Sequence, residues 1–474
     1  MINKKLLAVA AATALLAACA GMPGKPVPPK LSNEVPMAGV NTPANGKWPE
    51  AQWWKRYNDP QLDALINLAL QGSPSLTAAQ TRFDSAVQTV RAASAGAGIR
   101  ADGNASWARQ RMSDSGLIPP QFLGFNWYSQ ADLGLRLSYT FDWWGKQHAL
   151  IESVVDQMHA AEAENAAASL ALTTAVADTY FGWQSDQARF EVAQLVTRGA
   201  VKIRELSELR VNSGIDPQDV LTKADSDVAL AREQTVQLDG SAKLRRVALA
   251  ALVGVSPEQL PVLKPQALPT VDVQLPANVS IDLIARRPDI VASRWRVESA
   301  ARNVDQARAD FFPDISINAL AGLSAIDMSK LLRASSSVFN FGPALHLPIF
   351  DGGLIRARFG ISQAELDAAV ASYNTTLLDA ARDLATQALN AQQINALRQE
   401  RNTQLDAAKT QFDSAMAREH QGLTDLRMPL QIDVTLQQQR DAMLVLNTQA
   451  ISADIAMAKA LGGGYAQPAS EKTN

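Results

Sequence analysis

The sequence predicts a mainly α-helical chain with a small membrane-type β part, in which a strand pair and very long coiled-coil helices each occur twice. Three observations point there. Prolines are absent from 121 to 216 and from 349 to 428. Four segments alternate apolar and polar residues at the two-residue period of a strand. The two halves also share residues at a fixed offset.

Residues 1–18 read as a removable signal peptide. Lys4 and Lys5 precede an apolar run, Leu6 to Leu16, too short to cross a bilayer as a mature helix. The run ends in Leu16-Ala17-Ala18-Cys19. Small residues before a cysteine resemble the lipobox of bacterial lipoproteins, which implies a diacylglycerol and an N-acyl chain such as palmitate on Cys19. Cys19 is the only cysteine, so no internal disulfide can form. Ala20 follows it, where an aspartate would resemble an inner-membrane retention signal; Ala20 therefore points to the outer membrane. Pro23, Pro26, Pro28 and Pro29 make residues 19–47 an extended, lipid-anchored spacer.

A first repeat is expected over 48–254, with strands at about 101–111 and 130–142 and long helices at about 145–212 and 218–253. The second strand is the clearest. Leu133, Leu135, Leu137, Tyr139 and Phe141 line one face; Asp132, Gly134, Arg136, Ser138 and Thr140 line the other. Before it, Ala105 and Trp107 alternate with Asn104, Ser106 and Ala108. A helix over 145–212 spans roughly 100 Å at 1.5 Å per residue, far more than a compact domain needs. The run Ala166 to Ala177 is apolar nearly all round, but Thr173, Thr174 and Asp178 argue for a helix packed on several sides and against a membrane span.

Pro257, Pro261, Pro265, Pro269 and Pro276 mark residues 255–280 as a loop-rich connection. A second repeat is expected over 281–466, with strands at about 313–323 and 337–350 and helices at about 353–420 and 425–461; residues 467–474 are a tail. In the third strand Ile315, Ile317, Ala319, Ala321 and Leu323 alternate with Ser316, Asn318 and Gly322. In the fourth, Phe339, Phe341, Leu345, Leu347 and Ile349 alternate with Asn340, Gly342, Ala344 and His346, weakened by Pro343 and Pro348. In the helix that follows, Leu366, Tyr373, Ala380 and Ile394 form one heptad position and Val370, Leu377, Leu384 and Ala391 the other, broken only at Gln387.

The duplication shows in Pro74, Arg82, Ser85, Ala86, Val90 and Ala93, which recur as Pro288, Arg296, Ser299, Ala300, Val304 and Ala307. Phe141-Asp142 matches Phe350-Asp351, and Gly214 matches Gly422. Four strands cannot close a barrel, since the smallest closed ones have about eight and are filled by side chains. The strand count therefore predicts a homo-oligomer, and a homotrimer if solute must pass.

Composition excludes several classes. A net charge of −3 leaves no basic footprint for nucleic acid. His148, His159, His346 and His420 lack metal-ligand spacing, and neither a phosphate loop nor a zincin motif is present. Asp142 and Asp351, before helices, read as caps and not as catalysts. No enzymatic activity and no cofactor beyond the Cys19 lipid are expected.

Several motifs then point to a family. Trp53-Trp54 precede Asp59-Pro60-Gln61-Leu62. Leu283-Ile284-Ala285-Arg286-Arg287-Pro288-Asp289-Ile290 leads on to Ala309-Asp310-Phe311-Phe312-Pro313. Phe350-Asp351-Gly352-Gly353 and Ala460-Leu461-Gly462-Gly463-Gly464-Tyr465 complete the set. In order and spacing these resemble the NodT-type outer-membrane factors, the TolC/OprM-like ducts of tripartite efflux pumps, over almost the whole mature chain. The resemblance implies a trimeric duct of β-barrel and α-barrel. It implies a periplasmic adaptor (membrane fusion) protein and an inner-membrane pump as partners, and passive export of small toxic compounds.

In such relatives charged side chains near the periplasmic helical turns form the closed gate. The matching residues here are Asp425, Arg427, Arg418, Glu419, Asp216 and Asp219. Where several relatives carry an acidic gate residue this chain has Gln431, with Asp433 two residues on. Arg210, Gly214, Gly422, Leu423 and Thr424 are the corresponding adaptor-contact positions. A type I secretion duct for proteins and a pore-less structural envelope lipoprotein are the alternative readings; the Ala-Arg-Arg-Pro-Asp string speaks against the first and the alternating strands against the second.

Overall fold

The computed structural model describes residues 31, 46–113, 115, 120–272, 276 and 279–467. Cys19, the signal segment and the residues after Gln467 lie outside the described residues. The first half runs α1 (Pro60–Gly72), α2 (Pro74–Gly96), β1 (Arg100–Arg111), β2 (Trp127–Phe141), α3 (Lys146–Asn212) and α4 (Gln218–Val253). The second half repeats the order as α5 (Val279–Arg286), α6 (Pro288–Ala309), β3 (Asp314–Ala325), β4 (Ser337–His346), α7 (Leu354–His420) and α8 (Arg427–Ala460). Both α3 and α7 have 67 residues. The chain is thus mainly helical, with four antiparallel strands in one sheet of order β1-β2-β3-β4.

Local chemistry sets the helix starts. Asp59 accepts hydrogen bonds from the backbone N–H groups of Gln61 and Leu62, with Pro60 opening α1. The repeated aspartates act alike. Asp142 accepts from the N–H groups of Gln147 and His148, and Asp351 from those of Gly353 and Ile355. Each holds donors that the first helical turn leaves unpaired.

Two strand ends differ from expectation. β2 begins at Trp127, ahead of 130, because Arg111 and Gln110 of β1 pair with Trp127 and Tyr128. β4 ends at His346 and does not continue to 350. Pro348 has no N–H to give a ladder, and Asp351 draws the chain into the cap of α7. Pro343 stays within β4 opposite Ile317, tolerated on a strand that, among the described residues, has a neighbour on one side only.

The chain divides into two compact units that cut across the repeat. One joins Phe83–Ala160 with Ser293–Ser372; the other joins Ser32–Arg82 with Ala161–Ala292 and Tyr373 onward. In the first, Ser153 bonds Ser299 and Asn303, linking α3 to α6. In the second, a core forms where Trp53, Trp54, Tyr57, Leu62, Leu65 and Ile66 pack against Val176, Tyr180 and Phe181 of α3, Leu249 and Val253 of α4, and Ile451 and Ile455 of α8. This explains the all-round apolar run of α3, whose Leu172, Thr173, Thr174, Val176 and Ala177 are all buried. The proline-rich connection is pinned to the same core: Gln61 and Gln184 both bond the Lys264 backbone, and Arg398 bonds the Val271 carbonyl. Along α7 the heptad residues Leu366, Tyr373, Leu377, Ala380, Leu384 and Ala391 are buried. Among the described residues no helix is long and apolar enough to cross a membrane.

Candidate functional site

The sheet sorts side chains by face. Register places Leu133, Leu135, Leu137 and Tyr139 of β2 beside Ala105, Gly103 and Ala101 of β1 and Leu323, Ala321, Ala319 and Ile317 of β3. Phe339, Phe341 and Leu345 of β4 continue that face. These large apolar groups are open to the surroundings: Phe339 is 78% exposed and Leu135 48%. So wide an apolar face needs lipid or protein against it. The opposite face carries Asp132, whose carboxylate accepts from the hydroxyls of Ser106 and Ser324 at 3.3 and 2.7 Å. Arg136 there stands opposite Asp102, and His346 opposite Asp314. Aromatic groups bracket the apolar face. Tyr139, Phe141 and Trp143 cluster at the helix-bearing end, and Trp107 and Trp127 at the loop end. Apolar band, polar second face and aromatic borders are the features of a membrane barrel strand. Among the described residues the outer edges of β1 and β4 have no partner strand, so closure needs further copies.

The helical turns form the second element. Gly214 and Gly422 adopt φ of 70° and 72°, the left-handed region that an L side chain enters at a cost. Both turns use one motif. The N–H of Ile215 bonds the Arg210 carbonyl, and Gly214 N–H that of Val211; Leu423 and Gly422 do the same to Arg418 and Glu419.

A charge cluster ties the turns to each other. Arg210 grips Asp216 with Nε and Nη2 at 2.8 and 3.1 Å. Arg427 Nη1 reaches the same Asp216 at 2.7 Å and also bonds Asp425. Arg210 lies 3.5 Å from Asp425, which closes the four-membered set. The Arg210 hydrogen bond and the charge of Arg427 hold Asp216 below the usual carboxylate range. Partial burial works against Asp425, yet the bond and charge of Arg427 prevail and its carboxyl too is lowered.

Of the expected gate residues, Asp216, Asp425 and Arg427 thus come together. Arg418 and Asp219 are exposed and outside the cluster, and Glu419 lies 3.7 Å from His420. Arg210, assigned by resemblance to adaptor contact, is a full member of the cluster. Leu423 remains exposed, with Leu209 and Ile215, whereas Thr424 is half-buried. Gln431 lines a groove of about 600 Å³ between α3, α4 and α8, and Asp433 accepts from Gln437. Sequence reasoning missed the partners of two buried aspartates. Arg245 binds Asp186 at 2.7 Å, and Tyr57 donates to Asp454 at 2.6 Å beside Arg56. No spacing rule links residues so far apart.

The motifs that carry the family resemblance are joints. Arg287, nearly buried, binds Asp289 at 2.6 Å and lies 3.6 Å from Asp383, while Arg286 stacks over Trp48. Phe312 stacks on Trp144, whose indole N–H donates to the Pro313 carbonyl. At Gly462 a Cβ would stand 2.0 Å from the Arg286 carbonyl oxygen, so only glycine fits.

An open-edged amphipathic sheet joined to 67-residue helices defines a subunit of an outer-membrane channel with a helical periplasmic extension. The outer membrane efflux protein model matches residues 65–255 and 279–463, and the chain belongs to that family, a family of transport proteins and not of enzymes. It is 32% identical over 494 residues to the multidrug resistance outer membrane protein MdtP of Shigella flexneri, covering 100% of both chains. The crystal structure of the outer membrane protein VceC of Vibrio cholerae matches with a TM-score of 0.79 and 32% identity, over 88% of this chain and 100% of that one. The outer-membrane channel OprN matches with a TM-score of 0.83 and 25% identity, over 95% of this chain and 100% of that one.

Proposed function

We propose that three copies of this chain close a twelve-stranded barrel and act as the exit duct of a tripartite pump for small toxic compounds. The observation that carries this is the exposed apolar face on a four-stranded sheet with two open edges. A third of a barrel cannot enclose solute, and lipid can cover only an assembled exterior. The full-length likeness to MdtP supports a drug-efflux role over protein secretion.

Cys19 is the site of a diacylglycerol and N-acyl anchor of the NodT lipoprotein kind. Pro-rich 19–47 leads from that lipid to the fold. The Arg210–Asp216–Arg427–Asp425 cluster is the latch of the periplasmic gate: it fastens one hairpin turn to the other. The exposed Leu209, Ile215 and Leu423 beside Gly214 and Gly422 offer the adaptor an apolar foothold. The inner-membrane pump supplies the energy.

Purified protein tests the proposal directly. A mass of three chains in detergent and ion conductance in a planar bilayer are the expected results. A monomer that never conducts overturns the duct, and a Cys19→Ser chain that still carries acyl groups overturns the anchor.

A further inference from the structure

Side-chain bonds fix which of the long helices are neighbours. Arg204 binds Asp225 and Thr197 meets Thr235, so α4 lies beside α3. Arg189 grips Asp441 and Thr448 donates to Ser185, so α8 also lies on α3. Arg401 donates to Gln439, which places α7 beside α8. The order is α4, α3, α8, α7, and α4 and α7 are its outermost members.

The face of α4 turned away from α3 is not built for water. Val236, Leu244 and Val247 recur along it at helical spacing, and all three are exposed. Gly240 falls on the same stripe, where an added Cβ would meet nothing within 4 Å. A glycine inside a helix costs stability, and no contact among the described residues demands this one. Close approach of a helix from another copy is the reason that remains.

Charge points the same way. Arg232 on α4 and Asp406 on α7 are exposed, and neither side chain has a partner among the described residues. Arg232 and Arg198 border a groove of about 400 Å³ that no carboxylate lines. The two helices run in opposite directions, and the Arg210–Asp216–Arg427–Asp425 cluster holds their turns together. Arg232 is 14 residues past Gln218, where α4 starts, and Asp406 is 14 residues before His420, where α7 ends. Both stand about 21 Å above the turns. Glu400 and Asp413, the next carboxylates along α7, miss that level by about 9 and 11 Å. Glu233 beside Arg232 and Lys409 one turn from Asp406 carry the opposite signs, so the match is reciprocal. Higher up, exposed Leu389 of α7 stands within about 3 Å of the level of Val247.

We infer that the outer face of α4 packs antiparallel on the outer face of α7 of a second copy, with Arg232 of one paired to Asp406 of the other. The inference rests on the trimer proposed above and names the helical contact between its copies. The cluster at the turns joins the two hairpins of one copy; this pair joins hairpins of neighbouring copies above it.

The experiment uses the detergent-purified full chain. Arg232→Cys/Asp406→Cys is treated with a short bifunctional maleimide, beside each single variant and Arg232→Cys/Asp413→Cys, and products are sized on denaturing gels. Expected are covalent dimers and trimers from the first variant, about tenfold fewer from the pair at Asp413 because of its height, and none from the single variants. Charge exchange is read alongside. Arg232→Glu is expected to speed thermal dissociation of the trimer several-fold, and Arg232→Glu/Asp406→Arg to restore the wild-type rate. A wild-type chain that is monomeric by native mass overturns the trimer and the seam with it. In a chain that is trimeric, absent cross-links, cross-links confined within one copy, equal cross-linking at Asp413, or no rescue by the exchanged charges overturns the seam alone.

Discussion

Replacing Leu135 by arginine puts the assignment of faces at risk. Leu135 is 48% exposed on the apolar face, with Gly103 and Ala321 opposite it. It stands about 10 Å above Tyr139 in a band about 25 Å tall, so it is within about 3 Å of the midplane. An arginine there costs about 2–4 kcal/mol per chain, hence about 6–12 kcal/mol for three copies. That is comparable with the whole stability of a folded protein, about 5–15 kcal/mol. Asn340→Arg is the control. Asn340 and Arg136 both pair with Leu320, so Asn340 is at nearly the same height, on the polar face. The assay is heat-modifiable gel mobility of membrane fractions, which reports folded barrel. Leu135→Arg is expected to abolish the folded band and Asn340→Arg to keep it. A Leu135→Arg chain that folds as well as Asn340→Arg would refute the lipid-facing assignment.

Three further outcomes follow from the geometry. Asp216→Asn weakens both the Arg210 and the Arg427 grips, so closed-state conductance at pH 7 is expected to rise several-fold; in the wild type, whose Asp216 and Asp425 are held below the usual range, the latch persists above about pH 4 and loosens only as pH falls through their lowered values, read as single-channel current. Asp156 is pushed up to about 6 by burial, against the pull of Arg302 and His159 and with a further push from Glu298 and Glu152. Its folded value is raised, so its favourable contribution is present below about pH 4 and is lost as pH rises through 6; after solvent screening Asp156→Asn is expected to gain about 1 kcal/mol at pH 7.5 and nothing at pH 4, by thermal melts at both. Gly462→Ala combines a φ of 86° with a Cβ 2.0 Å from the Arg286 carbonyl, and an expected loss of about 2–5 kcal/mol is checked by melting temperature, an unchanged value counting against the close approach.

Much of the architecture was legible because it is written in local periods. The two-residue alternation of Leu133 to Phe141 and the heptads from Leu366 to Ala391 depend only on which side of a strand or helix meets an apolar surface. Caps were legible for the same reason: Asp142 and Asp351 act within one turn of their own position. The fourth strand was read too long, since apolar alternation through Leu347 and Ile349 continues past the point where Pro348 and the Asp351 cap take the chain out of the sheet. At the turns, sequence located Gly214 and Gly422 from the repeat but could not pair their charges. Asp219 and Arg418 looked as eligible as Asp216 and Arg427.

The sequence by itself determined the element types, their duplication and the amphipathic division of each strand, because those follow from neighbours on the same chain segment. Tertiary structure decided which surfaces meet. Pairing of β2 with β3 unites the two repeats in one sheet, and its register carries Ser106, Asp132 and Ser324 onto one face. It also places Arg109 and Arg111 on the other. Docking of the helices brings Arg427 to Asp216 across 211 residues of chain and Tyr57 to Asp454 across 397. Such pairs depend on the direction in which whole elements approach, and residue spacing along a chain holds no record of that direction.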